Sequence, residues 1–192
     1  MAQLTFVYGT VNSGKSLELM RVATNYEQLG KRAYILTPSL DTRSAEPKVW
    51  SRAGLEMDAT RLYPNMRVAD LLVNDYDIIL VDEAQFLTGL QVNDLAMLVD
   101  TLDIPVMAFG LRTDSNGQLF EGSSYLFAVA DKLQEIKTLD YMGSGKATMN
   151  LKVVDGLPVY DEDNTLDIES RGESKYYPVS RKHYYKPDLG KV

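Results

Sequence analysis

The sequence predicts an α/β protein with a mostly parallel sheet flanked by helices, followed by a small C-terminal lobe of strands. Three observations predict this class. Short apolar runs alternate with stretches of helical period as far as about residue 139, which is typical of a parallel sheet covered on both faces. The run at 78–81 is continuously apolar, as expected of a strand buried on both faces. A glycine-rich segment also joins the first apolar run to the first helical stretch.

The individual elements follow from periodicity and stop signals. Leu19, Met20 and Ala23 have helical spacing and predict the first helix, and Gly30 is its stop signal. The predicted helices span residues 16–29, 68–74, 90–102 and 122–130. The predicted strands span residues 4–8, 33–37, 78–81 and 106–110, with 133–139 extended. The polar stretch 39–61 has little periodicity, which predicts a long loop over the sheet.

The character of the chain changes after the sheet region. The dipeptide Asp155-Gly156 lies between apolar residues in 152–160, which predicts a β-hairpin. Residues 161–175 are polar and rich in turn formers, whereas 176–185 are aromatic and basic. The predicted domains are residues 1–139 and residues 140–192.

The glycine-rich segment is Gly9-Thr10-Val11-Asn12-Ser13-Gly14-Lys15-Ser16, a complete P-loop signature. Between a strand and a helix, such a loop points backbone N–H groups at one spot, where the helix N-terminus adds its positive end. All these residues are predicted to bind a nucleotide polyphosphate, Lys15 reaching the outer phosphates and Ser16 ligating Mg²⁺. The flanking elements favour this over a chance glycine loop. The strand, P-loop and helix in this order predict a sheet like that of P-loop NTPases.

Two carboxylates follow the strand at 78–81. Asp82 and Glu83 stand at its C-terminal end. In P-loop proteins, an acidic residue at the end of a neighbouring strand binds Mg²⁺ together with the P-loop. Alternation along a strand points neighbouring side chains to opposite sides, so we expect different roles for the two acids. Asp82 is predicted to bind Mg²⁺, and Glu83 to act as a base or to orient a nucleophile. A solvated strand end is the alternative, and the P-loop upstream argues against it.

Composition and charge narrow the class of partner. The 192 residues carry a net charge of −7 and no run of Lys or Arg, which argues against nucleic acid and favours a small-molecule substrate. There is no stretch of about 18 apolar residues and no basic N-terminal region before an apolar one. We therefore expect a cytoplasmic protein with no membrane partner. The chain has no cysteine, which excludes disulfides and thiolate metal sites.

Several segments resemble the type II thymidine kinases in order and spacing. The resemblance is carried by residues 8–16, 41–43, 81–87, 110–114, 120–123, 146–149 and 176–184. The P-loop is generic. The family-specific segments are Asp-Glu-Ala-Gln-Phe at 82–86, Gly-Leu-Arg-Thr-Asp at 110–114 and Tyr-Tyr-Pro-Val-Ser-Arg-Lys-His-Tyr at 176–184. The resemblance therefore covers nearly the whole chain.

This resemblance implies a reaction and an assembly. The reaction is ATP-dependent transfer of the γ-phosphoryl group to the 5′-hydroxyl of thymidine, giving dTMP, with Mg²⁺ as cofactor, and the assembly is a homotetramer. Glu83 matches the family's general base, and Asp82 with Ser16 matches its magnesium site. Asp41 and Arg43 match a loop element of the family. Arg43 is expected to place positive charge near the ATP phosphate that is transferred, and an Asp-Arg pair that only closes its own loop is the alternative.

The resemblance also implies a nucleoside pocket closed by a lasso loop at about 163–175, which holds thymine mostly through backbone groups. Residues that match pocket positions of the family are Val11, Leu111, Phe120 and Tyr176. For each of these side chains, core packing is the alternative. Where the family has a pocket phenylalanine, this chain has Ser115. A stacking face is therefore expected to be missing unless another aromatic residue fills in.

The second departure concerns the zinc that pins the small lobe in this family. Its ligands are two close cysteines and a later Cys-Arg-x-x-Cys/His. The matching positions in this chain are Asp140, Gly143, Ser180 and His183. Because three of the four cannot act as the family's ligands, we predict no structural zinc. His183, the single histidine, is interpreted as a surface or hydrogen-bonding residue.

Two other functions share the nucleotide-binding elements. A DNA-stimulated P-loop ATPase is opposed by the acidic charge and by the specific C-terminal segment. A catalytically silent nucleotide-binding regulator is conceivable because the zinc ligands and the pocket phenylalanine are missing. The intact P-loop and acid pair oppose that interpretation.

Overall fold

The helices and strands come from a computed structural model that describes residues 1–39, 47–71, 73, 75–160 and 174–191. In chain order, the strands are β1 (Leu4–Gly9), β2 (Ala33–Pro38), β3 (Lys48–Trp50), β4 (Glu56–Asp58), β5 (Thr60–Leu62), β6 (Ile78–Val81), β7 (Val106–Leu111), β8 (Lys132–Glu135), β9 (Met149–Val154), β10 (Leu157–Val159) and β11 (Lys175–Val179). The α-helices are α1 (Lys15–Gln28), α2 (Gly89–Leu102), α3 (Glu121–Val129) and α4 (Arg181–Tyr185). Short 3₁₀ turns span Val68–Asp70, Ala84–Phe86 and Leu189–Lys191. Within this part of the chain, no helix has the length and apolar character needed to cross a bilayer.

A parallel sheet forms the centre of the fold. In the described residues it contains six strands in the order β5-β2-β6-β7-β1-β8, and every neighbouring pair is parallel. Their carboxyl ends therefore meet at one edge, where the P-loop follows β1 and Asp82 follows β6. The predicted α/β class is confirmed.

Apolar side chains bury both faces of this sheet. Within β6, Ile79 and Val81 belong to one hydrophobic cluster, and Ile78 and Leu80 belong to another, because successive strand residues point to opposite faces. Helices α2 and α3 contribute to the first cluster and α1 to the second. Burial on both faces explains the continuous apolar run of β6.

The polar stretch 39–61 is more structured than predicted. Strands β3 and β4 form an antiparallel hairpin, and β5 is an edge strand paired with β2. The prediction of a plain loop was wrong because each of these strands is only three residues long, too short for periodicity to reveal it. Residues 40–46 of the stretch lie outside the described residues.

The predicted helix at 68–74 was also wrong. In the described residues of this segment, 68–71 and 73, the chain forms one 3₁₀ turn, Val68–Asp70. Leu71 has extended backbone, φ −80° and ψ 145°, and ends the turn. The Asp94 carboxylate of α2 accepts a hydrogen bond from the Val68 N–H at 3.0 Å. A tertiary contact therefore fixes this segment in place of a continued helix.

The C-terminal part has an antiparallel sheet whose described strands follow the order β10-β9-β11. The predicted hairpin is confirmed as β9 and β10. Its turn residues Asp155 and Gly156 both have positive φ, 50° and 77°, the geometry that suits an Asp-Gly hairpin turn. Leu151, Val179 and Tyr184 belong to a separate hydrophobic cluster of this region.

Candidate active site

The P-loop connects β1 to α1. Gly14 is the N-cap residue of α1 and has the left-handed φ of 84°, which glycine adopts without strain. A Cβ built on Gly14 would meet no atom within 4 Å, whereas one on Gly9 would lie 2.6 Å from Ser13 Oγ. Glycine at position 9 thus lets the loop fold back on its strand, and the space beside Gly14, at the start of α1, is open. Open space at a helix N-terminus suits a phosphate group.

Lys15 is folded across this loop. Its Nζ donates hydrogen bonds to the Thr10 carbonyl oxygen at 2.7 Å and to Ser13 Oγ at 3.2 Å. The residue is only 9% exposed, and a buried ammonium group needs such acceptors. The loop therefore carries a fixed positive charge that a phosphate anion would meet at short range.

Ser16 and Asp82 connect α1 to the end of β6. The Ser16 hydroxyl lies 2.9 Å from Oδ2 and 3.2 Å from Oδ1 of Asp82. Asp82 is 2% exposed, so its carboxylate is shielded from bulk water. A hydroxyl and a carboxylate are the hard oxygen ligands that Mg²⁺ prefers, and these two residues therefore fit that ion.

Glu83 is held by a different contact. Its backbone is left-handed, with φ 49° and ψ 38°, which is uncommon for a residue other than glycine. Its Oε2 accepts a hydrogen bond of 2.6 Å from Gln85 Nε2. Strand β6 ends at Val81, so strand alternation does not extend to the two acids. The different contacts of the Asp82 and Glu83 side chains therefore come from the turn conformation of Glu83 and not from strand alternation.

One cavity of about 330 Å³ joins the parts of the predicted site. Residues 11–16 of the P-loop and Glu83 line it. The predicted pocket residues that also line it are Val11, Leu111, Ser115, Phe120 and Tyr176. Gly9, Thr10 and Asp82 are buried and do not belong to the lining. The fold thus brings the P-loop, Glu83 and the predicted nucleoside pocket to a single cavity.

Ser115 lies in the wall of this cavity and is buried. Its carbonyl oxygen accepts a hydrogen bond of 2.6 Å from the Tyr184 hydroxyl. Phe86 and Phe120, which line the same cavity, form an edge-to-face pair with ring centroids 5.5 Å apart. The cavity therefore has aromatic surface even though position 115 contributes none.

Several residues of the cavity lining were not predicted from the sequence. Those from the β3–β4 hairpin are Trp50, Ser51, Arg52 and Ala53, and two more are Gln85 and Asn150. Trp50 is 44% exposed, and a lone tryptophan in a polar stretch was the signal available for the hairpin, whereas Gln85 lies in the family-specific segment 82–86. Asp41, Arg43 and residues 163–173 of the predicted lasso lie outside the described residues.

The residues at the family's zinc positions meet in space. His183 Nδ1 lies 2.6 Å from Asp140 Oδ2 and 3.4 Å from Ser180 Oγ, and a Cβ on Gly143 would lie 2.8 Å from His183 Cε1. Burial raises the pKa of Asp140, but hydrogen bonds from Ser180, the Met142 N–H and His183 outweigh it and hold that pKa below its ordinary value. Across the described ranges, no group of three or more His, Asp or Glu residues is arranged to hold a metal. The absence of zinc stays a prediction.

Comparison with known proteins agrees with this geometry. The thymidine kinase family model matches residues 2–184. A thymidine kinase of Enterococcus faecalis is 49% identical, over 97% of this chain and 96% of the relative. Thymidine kinases of Lactococcus lactis and Streptococcus gordonii are 48% and 47% identical, over 98% of this chain in both cases and 100% and 99% of the relatives. The resemblance carried by the motifs is confirmed, and the chain belongs to the thymidine kinase family.

Proposed function

We propose that this enzyme transfers the γ-phosphoryl group of ATP to the 5′-hydroxyl of thymidine, giving dTMP and ADP. The observation that carries the proposal is the shared cavity, in which the P-loop, Glu83 and the predicted nucleoside pocket form one lining. Membership of the thymidine kinase family supports the same reaction.

The polyphosphate of ATP would bind along the P-loop. Its backbone N–H groups and the N-terminus of α1 would contact the phosphate oxygens, and the Lys15 ammonium would neutralise charge on the transferred group. Ser16 and Asp82 would hold Mg²⁺, which when bound neutralises phosphate charge. Most of the catalysis on this side is therefore positioning and electrostatic stabilisation.

Thymidine would bind on the other side of the cavity. Its base and sugar would contact Leu111, Phe120 and Tyr176, with Ser115 beside them. Glu83 would accept the proton of the 5′-hydroxyl while the 5′-oxygen of thymidine forms its bond to the γ-phosphorus. The bond from the γ-phosphorus to the β,γ-bridging oxygen breaks, ADP leaves with that electron pair, and the proton passes from Glu83 to water.

Further proposals concern the parts around this cavity. Arg43 would contact the ATP phosphates, and a lasso at 163–175 would close over the nucleoside. Residues 1–139 would form the nucleotide-binding domain and 140–192 a small lobe, which the separate sheet and hydrophobic cluster of the C-terminal part support. The homotetramer and the cytoplasmic location stay predictions.

A nucleoside panel with ATP and Mg²⁺ tests the reaction. We expect thymidine to give dTMP with stoichiometric ADP, and the purified Lys15→Ala protein to give neither, which excludes a contaminating kinase. Single-stranded DNA is added in a parallel reaction. ADP release that responds to DNA and not to thymidine would favour the ATPase alternative, and ATP binding without any turnover would favour the silent regulator.

A further inference from the structure

The side chain of Gln85 links Glu83 to the end of β7. Gln85 Nε2 lies 2.6 Å from Glu83 Oε2, and Gln85 Oε1 lies 3.0 Å from the backbone nitrogen of Leu111. Gln85 is 2% exposed, and both hydrogen bonds are partly buried. The amide thus connects the proposed base to a residue of the proposed nucleoside pocket.

Hydrogen-bond chemistry fixes which way this amide points. A backbone N–H can only donate, so the group that faces Leu111 must be the amide oxygen. The amide NH₂ must then face Glu83, where the carboxylate accepts. The two contacts therefore support each other, and reversing the amide would break both.

The surrounding backbone leaves room for this arrangement. A Cβ built on Gly110 would lie 3.0 Å from Gln85 Oε1 and 3.0 Å from the Gln85 backbone nitrogen, which is tighter than ordinary contact. Glycine at position 110 therefore lets the glutamine approach β7. Glu83 has a left-handed backbone outside strand β6, and its carboxylate contacts this amide.

We propose that Gln85 is a positioning residue for phosphoryl transfer. It acts through Glu83, holding one carboxylate oxygen so that the carboxylate keeps a single orientation toward the acceptor hydroxyl. This inference rests on the proposed role of Glu83 as the base. A displaced base lowers the rate of the reaction even when both substrates still bind.

A double-mutant cycle tests the proposal. Gln85→Met keeps the length and removes both hydrogen bonds, and we expect kcat to fall about 10-fold while the KM values for ATP and thymidine stay within about two-fold. In the Glu83→Gln background, which has no base to position, we expect the same change to lower kcat by less than about two-fold. Equal losses in both backgrounds, or no loss in the first, would overturn the role of Gln85.

Gln91 offers a matched control. It is also a buried glutamine at 2% exposure, and its Nε2 donates to the Tyr63 and Met66 carbonyl oxygens at 2.8 and 3.1 Å, away from the cavity lining. Gln91→Met should lower the melting temperature and leave kcat unchanged. A kcat loss at Gln91 equal to that at Gln85 would mean that general destabilisation explains both, against the proposal.

A second variant covers the case in which Gln85→Met does not fold. Gln85→Glu keeps an acceptor for Leu111 but sets a carboxylate against Glu83, so the same pattern of lowered kcat and preserved KM is expected. Native turnover in folded Gln85→Glu would also overturn the proposal. Failure of the base assignment itself is a separate result, since it would appear as native turnover in the Glu83→Gln single variant.

Discussion

The backbone N–H of Val11, in the P-loop, donates a 2.9 Å hydrogen bond to Oδ1 of Asn150, in β9. On its other side, Asn150 Nδ2 donates to the Thr113 carbonyl oxygen at 2.8 Å. Asn150 is 3% exposed; its contact with Thr113 is buried and its contact with Val11 is partly buried. One side-chain amide of the C-terminal sheet thereby sets the distance between the phosphate loop and the segment that follows β7.

We expect Asn150→Ala to impair the use of both substrates. Without the amide, the N–H of Val11 and the carbonyl of Thr113 lose their buried partner, which costs about 1–3 kcal/mol. The KM values for ATP and thymidine should both rise and the melting temperature should fall. Steady-state kinetics and thermal unfolding check this. An unchanged KM for ATP would show that the P-loop does not depend on Asn150.

Glu83→Gln should separate binding from chemistry. The variant keeps the size of the side chain but cannot accept the hydroxyl proton, so turnover should fall by about 10² or more. Calorimetric affinities for ATP and thymidine should stay near native. Glu27→Gln, a change at an exposed residue near the end of α1, is the control and should leave turnover unchanged. Near-native turnover in Glu83→Gln would remove Glu83 from the role of base.

Ser115→Phe should restore the ring that the family places in this wall. An added aromatic contact contributes about 0.5–1.5 kcal/mol beyond area burial, so the KM for thymidine is expected to fall a few-fold. Ser115→Ala tests loss of the hydroxyl alone and should change little. A higher KM in the phenylalanine variant would show that Phe86 and Phe120 already occupy the space.

The C-terminal part should fold without a metal. A zinc-pinned lobe unfolds when the ion is removed, whereas Leu151, Val179 and Tyr184 already form a packed cluster here. We expect purified protein to contain no stoichiometric zinc and its melting temperature, read without Mg²⁺, to be unaffected by a strong chelator. Elemental analysis and thermal unfolding test this. One zinc per chain, or a large drop in melting temperature, would contradict it.

Asp140 should make stability depend on acid pH. Its pKa is lowered in the folded protein, so the ionised carboxylate stabilises the fold at pH values above the unfolded pKa of about 4 and that contribution is lost as pH falls through the folded pKa. Asp140→Asn should therefore lower the melting temperature at pH 7, with a difference that shrinks below about pH 4. A difference independent of pH would argue against a charge effect.

The features that the sequence predicted depend on short-range spacing. The P-loop and the acid pair are contiguous, and their flanking apolar runs identify the strands that hold them. Asn150 was missed because its partners, Val11 and Thr113, are distant in sequence. Gln85 lies in the family-specific segment 82–86 but received no role, because no local pattern marks its contact with Leu111. The hairpin of β3 and β4 was missed because three-residue strands carry no period.

Position 83 combines the carboxylate of the proposed base with a backbone that favours glycine. A left-handed residue with a side chain holds unfavourable conformational energy, of order 1–3 kcal/mol, which the surrounding structure must offset. Glycine would relieve this conformational energy best, because it has no side chain. Laboratory evolution for heat resistance alone would therefore favour glycine at this position and lose the proposed base, whereas growth that depends on salvaged thymidine would keep glutamate.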